Sequence, residues 1–248
     1  MNNLGIIVQA RTSSARLPNK VVLPFYRNKS IIEIIIEKLK KLDLKIYVAT
    51  SKKKSDDIIE KICNKVRVTC YRGDEHNVLS RFILISEQNN LSHAVRVCCD
   101  NPFINIELLN KLILNFKSNH DADYISYFDN LNNPSIKSHV GVFCEIFSYN
   151  SMKLINSLTM DQNHLEHATS YIYENPKKFK IIKIKNPILL NNKWLRLTVD
   201  TKDDFDVVSR IFNNFKGDRD SIKDLIHFIK NDEQLIEKMT YNINTNKK

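Results

Sequence analysis

Short apolar segments alternate with segments of helical periodicity through the first half of the chain. The apolar runs typical of strands are residues 4–8, 46–49, 66–71, 93–98 and 124–127. Apolar residues recur at helical spacing in the segments between them, which are residues 31–39, 56–64, 75–88 and 106–116. Strands that alternate with helices are joined by right-handed crossovers. The pattern therefore predicts an α/β fold with a mostly parallel sheet and helices on both of its faces.

The alternation is less regular after about residue 130. The remaining predicted elements are strands at 140–147, 179–184 and 194–199 and helices at 151–158, 164–173 and 202–215, with one or two further helices up to 238. We expect the last residues, 242–248, to be frayed. A length of 248 residues is common for one α/β domain, so we expect a single domain over residues 1–248, with an inserted arm.

A basic loop follows the first predicted strand. Within residues 9–20, Arg11, Arg16 and Lys20 supply three cations. Ligands of an open α/β sheet bind at the carboxyl ends of the strands, and these side chains suit a polyphosphate. A solvated basic loop is the alternative. Pro18 argues against a freely flexible loop, because proline fixes its own φ and restricts the residue before it.

Two aspartates end predicted strands. Asp100 lies in Cys-Cys-Asp-Asn-Pro, and Asp200 lies in Leu-Thr-Val-Asp-Thr. If both meet near the basic loop, they form a reasonable Mg²⁺ site, because Mg²⁺ takes one or two protein carboxylates and completes its shell with phosphate oxygens and water. The alternative is that each aspartate only caps a turn or a helix. Spacing alone does not decide between the two.

The composition limits the classes of partner. A formal net charge of +10 attracts polyanions of any kind, but the basic residues are spread over predicted helices and turns, so nucleic-acid binding ranks low. The five cysteines form no C-x-x-C pair and no zinc spacing, which indicates reduced thiols and a cytoplasmic protein. We expect no signal peptide and no membrane-spanning segment.

Motifs along nearly the whole chain carry a resemblance to a known family. They occupy residues 5–20, 49–51 with 56–57, 71–74 with 77–82, 95–96 with 100–102, 145–148, 166–167 and 195–205. In this order they resemble the spore-coat-polysaccharide-type cytidylyltransferases, which are relatives of the acylneuraminate and 3-deoxy-manno-octulosonate cytidylyltransferases. The first and last motifs are the specific ones.

The resemblance implies a Rossmann-like nucleotidyltransferase fold of the glycosyltransferase-A type, usually as a homodimer. The implied reaction transfers CMP from CTP to an acidic or phosphorylated sugar-like acceptor, releases pyrophosphate and serves surface polysaccharide biosynthesis. Mg²⁺ is the implied cofactor, with Asp100 and Asp200 as its ligands. Residues 130–192 would form a small β-rich arm for acceptor binding and dimerisation.

Roles for individual residues follow from the same resemblance. The implied nucleotide-binding residues are Gln9, Ala10, Arg11, Ser14, Arg16, Lys20, Arg72, Arg81 and Arg96. The implied acceptor-side residues are Phe143, Glu145, Leu165, Glu166 and His167. The implied catalytic residues are Arg11, Lys20, Asp100, His167 and Asp200, where His167 either acts as a base or orients the acceptor.

Two positions depart from the family pattern. Phe143 stands where the family usually has aspartate, and Leu165 stands where it usually has arginine. If the two positions touch, an apolar contact has replaced an ion pair. Otherwise the acceptor pocket has become more apolar and the acceptor is not the usual one. A homologue that binds nucleotide without turnover is therefore an alternative function, and polyanion binding is a third.

Overall fold

The computed structural model describes residues 3–246, and its strands form one large sheet and one small ribbon. The strands are β1 (Leu4–Gln9), β2 (Pro24–Tyr26), β3 (Lys29–Ser30), β4 (Ile46–Ser51), β5 (Thr69–Gly73), β6 (His93–Cys98), β7 (Tyr124–Phe128), β8 (Glu145–Ser148) and β9 (Ile181–Lys185). β2 and β3 pair as the ribbon. The other seven strands form the central sheet in the order β5-β4-β1-β6-β8-β7-β9.

Helices cover both faces of this sheet. They are α1 (Ile31–Leu39), α2 (Asp57–Lys65), α3 (Val78–Gln88), α4 (Ile106–Ser118), α5 (Tyr149–Leu158), α6 (Gln162–Glu166), α7 (Ser170–Glu174), α8 (Lys202–Asn214), α9 (Ile222–Lys230) and α10 (Glu233–Thr245). Consecutive residues of β1 point to opposite faces, so Ile6 packs in one hydrophobic cluster with α1, α4 and α8, and Ile7 in another with α3 and α5. The predicted α/β fold is confirmed.

The carboxyl ends of the parallel strands meet at one edge. β5, β4, β1 and β6 are mutually parallel, while β8 runs antiparallel between β6 and β7. β7 therefore points the same way as β1, and β9 pairs with it in parallel. At the end of β1, Gln9 lies between Ala49 of β4 and Cys98 of β6. The basic loop starts from this central position.

The predicted strand at residues 194–199 is wrong. The segment is irregular, although Leu195, Leu197 and Val199 are buried. Its backbone contacts are scattered: Val199 N–H donates to Asp100 C=O at 2.8 Å and Leu197 N–H to His139 C=O at 3.1 Å. Residues 195–200 are all buried, but the segment does not join the sheet ladder.

Several other boundaries also differ from the sequence prediction. The strand expected at 140–147 is reduced to β8. The helix expected at 164–173 is two helices, α6 and α7, because the non-helical backbone of His167, with φ −100° and ψ 70°, ends α6. The fraying expected from residue 242 does not begin there, because α10 continues to Thr245 and the Asn242 side chain is buried and donates to Asp204 Oδ1 at 3.0 Å. Lys247 and Lys248 lie outside the described residues.

Residues 130–192, all within the described part of the chain, do not form a separate β-rich arm. Both of their strands, β8 and β9, pair in the central sheet, and the rest consists of helices α5, α6 and α7, short 3₁₀ turns and irregular segments. Ile146 and Phe147 explain this, because both are fully buried and hold β8 between β6 and β7. Among residues 3–246, no helix is long and apolar enough to cross a membrane.

Candidate active site

A cleft of about 750 Å³ opens at the carboxyl ends of the central strands. The predicted site residues that line it are Gln9, Ala10, Arg11, Ser14, Arg16, Lys20, Arg81, Arg96, Asp100, Phe143, Glu166, His167 and Asp200. Arg72, Glu145 and Leu165 are not part of the lining. Segments far apart in the sequence therefore meet in one cleft around the basic loop.

The basic loop is anchored by Asp56, a residue that the sequence did not single out as functional. Its fully buried carboxylate accepts hydrogen bonds from Thr12 N–H at 2.8 Å and Thr12 Oγ1 at 2.6 Å. It also accepts from Thr50 Oγ1 at 3.0 Å, Ser51 N–H at 3.1 Å and Ser51 Oγ at 2.5 Å. One carboxylate thus ties the loop after β1 to the end of β4. Its place in a family motif was the only sequence signal.

This anchor predicts an acid-sensitive contribution to stability. Burial raises the pKa of Asp56, but hydrogen bonds from Ser51 and Thr12 outweigh burial and leave the pKa below its ordinary value. The contribution is therefore present above the unfolded-state pKa of about 3.9 and is lost as pH falls through the folded-state pKa. Asp56→Asn should lower the free energy of unfolding at pH 7 by about 1–3 kcal/mol and flatten its loss below pH 4.

Urea unfolding at a series of pH values measures both effects. Asp43→Asn is the matched control, because Asp43 is exposed and lies outside the hydrogen bonds of Asp56. An unchanged acid slope in the Asp56 variant would contradict the anchoring role.

Lys20 brings the two predicted metal-binding aspartates together. Its Nζ lies 3.3 Å from Asp100 Oδ2 and 3.4 Å from Asp200 Oδ1, and it donates to Val199 C=O at 2.6 Å. Arg16 Nη2 lies 3.3 Å from Asp200 Oδ1. The structure therefore places both carboxylates beside the cations of the loop, which is one of the two alternatives that the sequence left open.

The donor set at this point fits Mg²⁺. Asp100 and Asp200 offer hard carboxylate oxygens around one ammonium group, and the Asp100 side chain is 28% exposed at the cleft. Within residues 3–246, no group of three or more His, Cys, Asp or Glu side chains is arranged to hold a metal ion. A Mg²⁺ ion held here would have two carboxylates as protein ligands, which suits an ion that typically takes its other ligands from phosphate and water.

Asp200 is held in place by the buried ion pair of Arg196 and Asp204, which the sequence did not reveal. Arg196 Nη2 lies 3.2 Å from Asp200 Oδ2. The same guanidinium pairs with Asp204 through Nε at 2.6 Å and Nη2 at 2.7 Å, and both side chains are 1% exposed. Burial raises the pKa of Asp204, but hydrogen bonding and the charge of Arg196 lower it below its ordinary value. The network fixes the position of Asp200 in the cleft.

Glu145 is a positioning residue in this structure and does not line the acceptor side of the cleft. Its fully buried carboxylate accepts hydrogen bonds from Arg96, from the Tyr124 hydroxyl and from Thr169 Oγ1, the last at 2.8 Å. Arg96 Nε donates to Gln9 Oε1 at 2.9 Å. Glu145 therefore acts on the cleft through Arg96, which orients Gln9.

Arg72 lies away from the cleft. Its guanidinium donates to the carbonyls of Ser51 at 3.0 Å and Lys53 at 2.7 Å, and it pairs with Asp57 at 2.7 Å and Glu60 at 2.9 Å. These partners hold it against the start of α2. Arg72 therefore does not line the cleft, and its side chain fixes the segment between β4 and α2.

The proposed contact between Phe143 and Leu165 is also not formed. Phe143 lines the cleft and packs on Tyr127 with ring centroids 5.4 Å apart, in the cluster that includes α4. Leu165 belongs to the other cluster, on the opposite face of the sheet. The two departures from the family pattern are therefore separate, and only Phe143 changes the surface of the cleft.

Arg11 links the basic loop to α6. Its Nη2 lies 2.5 Å from Glu166 Oε1 at the end of α6, and His167 follows at the cleft.

Arg81 is 2% exposed, and its Nε has no hydrogen-bond partner in the described structure. Burial, followed by the charge of Arg11, lowers the pKa of Arg81 to about 10. A buried cation without a carboxylate partner favours an anionic ligand.

A family model confirms what this site suggests. The sequence model of the cytidylyltransferase family matches residues 5–244. The chain belongs to the cytidylyltransferase family. It is 35% identical to an uncharacterized protein of Methanocaldococcus jannaschii over 99% of this chain and 96% of that protein. It is 30% identical to the spore coat polysaccharide biosynthesis protein SpsF of Bacillus subtilis over 90% of this chain and 91% of that protein.

Solved structures give the same fold. A cytidylyltransferase from Leptospira borgpetersenii superposes with a TM-score of 0.85 at 28% identity and covers 95% of this chain and 97% of that chain. A CMP-2-keto-3-deoxy-manno-octonic acid synthetase complexed with CTP has a TM-score of 0.62 at 11% identity, which shows the fold alone; the match covers 85% of this chain and 98% of that chain. The predicted family, fold and CTP-dependent nucleotidyltransferase class are confirmed.

Proposed function

We propose that this family member transfers CMP from CTP to a sugar-like acceptor that carries an acidic or phosphate group, with release of pyrophosphate. The observation that carries the proposal is the convergence of Arg16, Lys20, Asp100 and Asp200 at one edge of the sheet. The likeness to a Bacillus subtilis spore coat polysaccharide biosynthesis protein supports a role in surface polysaccharide synthesis.

The chemistry requires positioning and charge neutralisation more than covalent help from the protein. Asp100 and Asp200 would hold Mg²⁺, which supplies neutralisation of phosphate charge when bound. Arg16 and Lys20 bind the triphosphate and stabilise the charge that builds on the leaving pyrophosphate. The Arg11–Glu166 pair fixes the junction between the nucleotide and acceptor sides. His167 orients the acceptor or takes a proton from it.

Nucleotide selectivity tests the proposal. CTP with Mg²⁺ should raise the thermal midpoint more than UTP, ATP or GTP; at about 100 times its dissociation constant the expected shift is roughly 5–10 °C. Pyrophosphate release should then depend on an acceptor from a panel of sugar acids and sugar phosphates. Equal shifts with all four nucleotides would indicate non-specific attraction to the +10 charge and contradict the proposal.

A homologue without turnover is the second candidate, and the Phe143 side chain at the cleft favours it. Its expected result is a selective CTP shift with no pyrophosphate release from any acceptor in the panel. Phe143→Asp separates the two, because turnover that appears only in this variant would show that the apolar residue blocks the reaction.

The homodimer and the cytoplasmic location stay predictions. Exposed apolar side chains support dimerisation through residues 130–192, because six of the nine large exposed ones in the described residues lie there. They are Leu131, Leu154, Leu158, Met160, Ile188 and Leu189. Sedimentation as a monomer at micromolar concentration would contradict the dimer.

A further inference from the structure

Unpaired polar atoms are concentrated in the cleft. Within residues 3–246, eight buried side-chain nitrogen or oxygen atoms have no hydrogen-bond partner. Four belong to residues that line the cleft: Arg81 Nε, Asn101 Oδ1, Ser135 Oγ and Ser170 Oγ. Buried polar groups in proteins are nearly always paired, so this concentration indicates a ligand that supplies the missing partners. None of the sequence motifs includes either serine.

The two serines lie on facing segments of one wall. Ser135 and Lys137 belong to a short 3₁₀ turn, while Ser170 and Tyr173, three residues apart, share a face of α7. Lys137 Nζ lies 5.4 Å from the centroid of the Tyr173 ring, so the turn and α7 approach each other here. The serine side chains are buried, at 4% and 6% exposure.

This wall is separate from the triphosphate loop. The bridge between Phe128 and Pro134 holds the turn beside the end of β7. β7 is three strands from β1 in the sheet, which corresponds to about 14 Å along its edge. A group bound at Ser135 and Lys137 therefore lies at the end of the cleft away from the cations of the loop.

Lys137 supplies the charge of this wall. Of the other cleft cations, Arg11, Arg16, Lys20 and Arg96 each pair with a carboxylate, and Arg81, which does not, is buried on α3 and not on this wall. Lys137 is exposed and forms no ion pair within the described residues. An ammonium group together with two hydroxyl donors matches the oxygens of a carboxylate or a phosphate.

We propose that Ser135, Lys137 and Ser170 form an oxyanion subsite that binds the carboxylate or phosphate group of the acceptor. The inference rests on the proposed function and deepens it, because it assigns the part of the cleft that selects an acidic acceptor. The subsite binds the acceptor at a distance from the attacking atom. Its loss therefore acts on acceptor affinity and leaves CTP affinity unchanged.

Single substitutions can test the subsite without disturbing the fold. Ser135→Ala and Ser170→Ala remove no side-chain hydrogen bond within the described protein, so both should fold normally. Lys137→Ala removes the charge. Lys183→Ala is the matched control, because Lys183 on β9 is also exposed and lies 5.1 Å from the centroid of an aromatic ring, that of Phe128, but does not line the cleft.

The first test measures thermal midpoints without Mg²⁺, both with and without saturating CTP. The probes are inorganic phosphate, D-gluconate and uncharged D-glucitol. In the CTP-saturated protein, phosphate or gluconate should raise the midpoint and D-glucitol should not. The shift should be lost in Lys137→Ala and in the double variant Ser135→Ala/Ser170→Ala, and kept in Lys183→Ala. Whichever probe responds identifies the anion as phosphate or carboxylate.

Three outcomes would overturn the subsite: no shift with either anion, equal shifts in the wild type and Lys137→Ala, or a shift that CTP abolishes. The last would place the anion on the triphosphate loop. Failure of the proposed function is distinguishable, because it appears as a missing CTP shift in parallel samples that contain Mg²⁺. With an acceptor that turns over, Lys137→Ala should raise its KM roughly tenfold or more at unchanged KM for CTP.

Discussion

Asp100→Asn is expected to lower the rate of CMP transfer by about 100-fold or more without unfolding the protein. Removing one of two carboxylates weakens Mg²⁺ binding and charge neutralisation at the triphosphate, and single electrostatic contacts of this kind are typically worth a factor of about 10²–10³. The fold should survive, because the Asp100 side chain is 28% exposed and Lys20 keeps its contacts with Asp200 and Val199 C=O.

The measurement is acceptor-dependent pyrophosphate release at saturating CTP across a Mg²⁺ titration. Part of the loss should be recovered at high Mg²⁺, because the variant keeps the second carboxylate. Asp206→Asn is the control, since Asp206 is exposed on α8 and pairs with Lys202. Full turnover of Asp100→Asn or of Asp200→Asn at low Mg²⁺ would contradict the metal assignment.

The position of this site follows largely from the sequence. Strand and helix alternation predicts a parallel sheet, and strand ends in such a sheet share an edge, which allows Asp100 to meet the basic loop that follows Gln9. For Asp200, the sequence indicates the same possibility for a partly wrong reason. Its segment is not a strand, but the side chains of Leu197 and Val199 are buried in the core, and Asp200 therefore still lies at the same edge.

Roles of buried charged residues were less predictable. Glu145 and Arg72 both belong to family motifs. Glu145, however, is fully buried and pairs with Arg96, while Arg72 pairs with carboxylates at the start of α2. A motif shows that a residue matters, but it does not show which way the side chain points. The packing partners of Leu165 were also hard to predict, because they depend on which face of the sheet α6 covers.

Asp204→Ala is expected to lower the free energy of unfolding by about 3–5 kcal/mol, a large effect for one substitution. The variant leaves the Arg196 guanidinium 1% exposed with only Asp200 as a carboxylate partner. It also removes the acceptor for the N–H groups of Asp200 and Thr201 at the start of α8 and for Asn242 of α10. The thermal midpoint should fall by roughly 10 °C.

Asp203→Ala is the matched control, because Asp203 is adjacent in the sequence but exposed, and it should change the stability by less than about 0.5 kcal/mol. Urea unfolding measures both variants. Asp204→Ala should also need more Mg²⁺ for turnover, because Arg196 then pairs with Asp200 alone and draws this carboxylate away from the cleft. Equal stability of the two variants would contradict the support that Asp204 gives to the site, and loss of stability with an unchanged Mg²⁺ requirement would limit its role to folding.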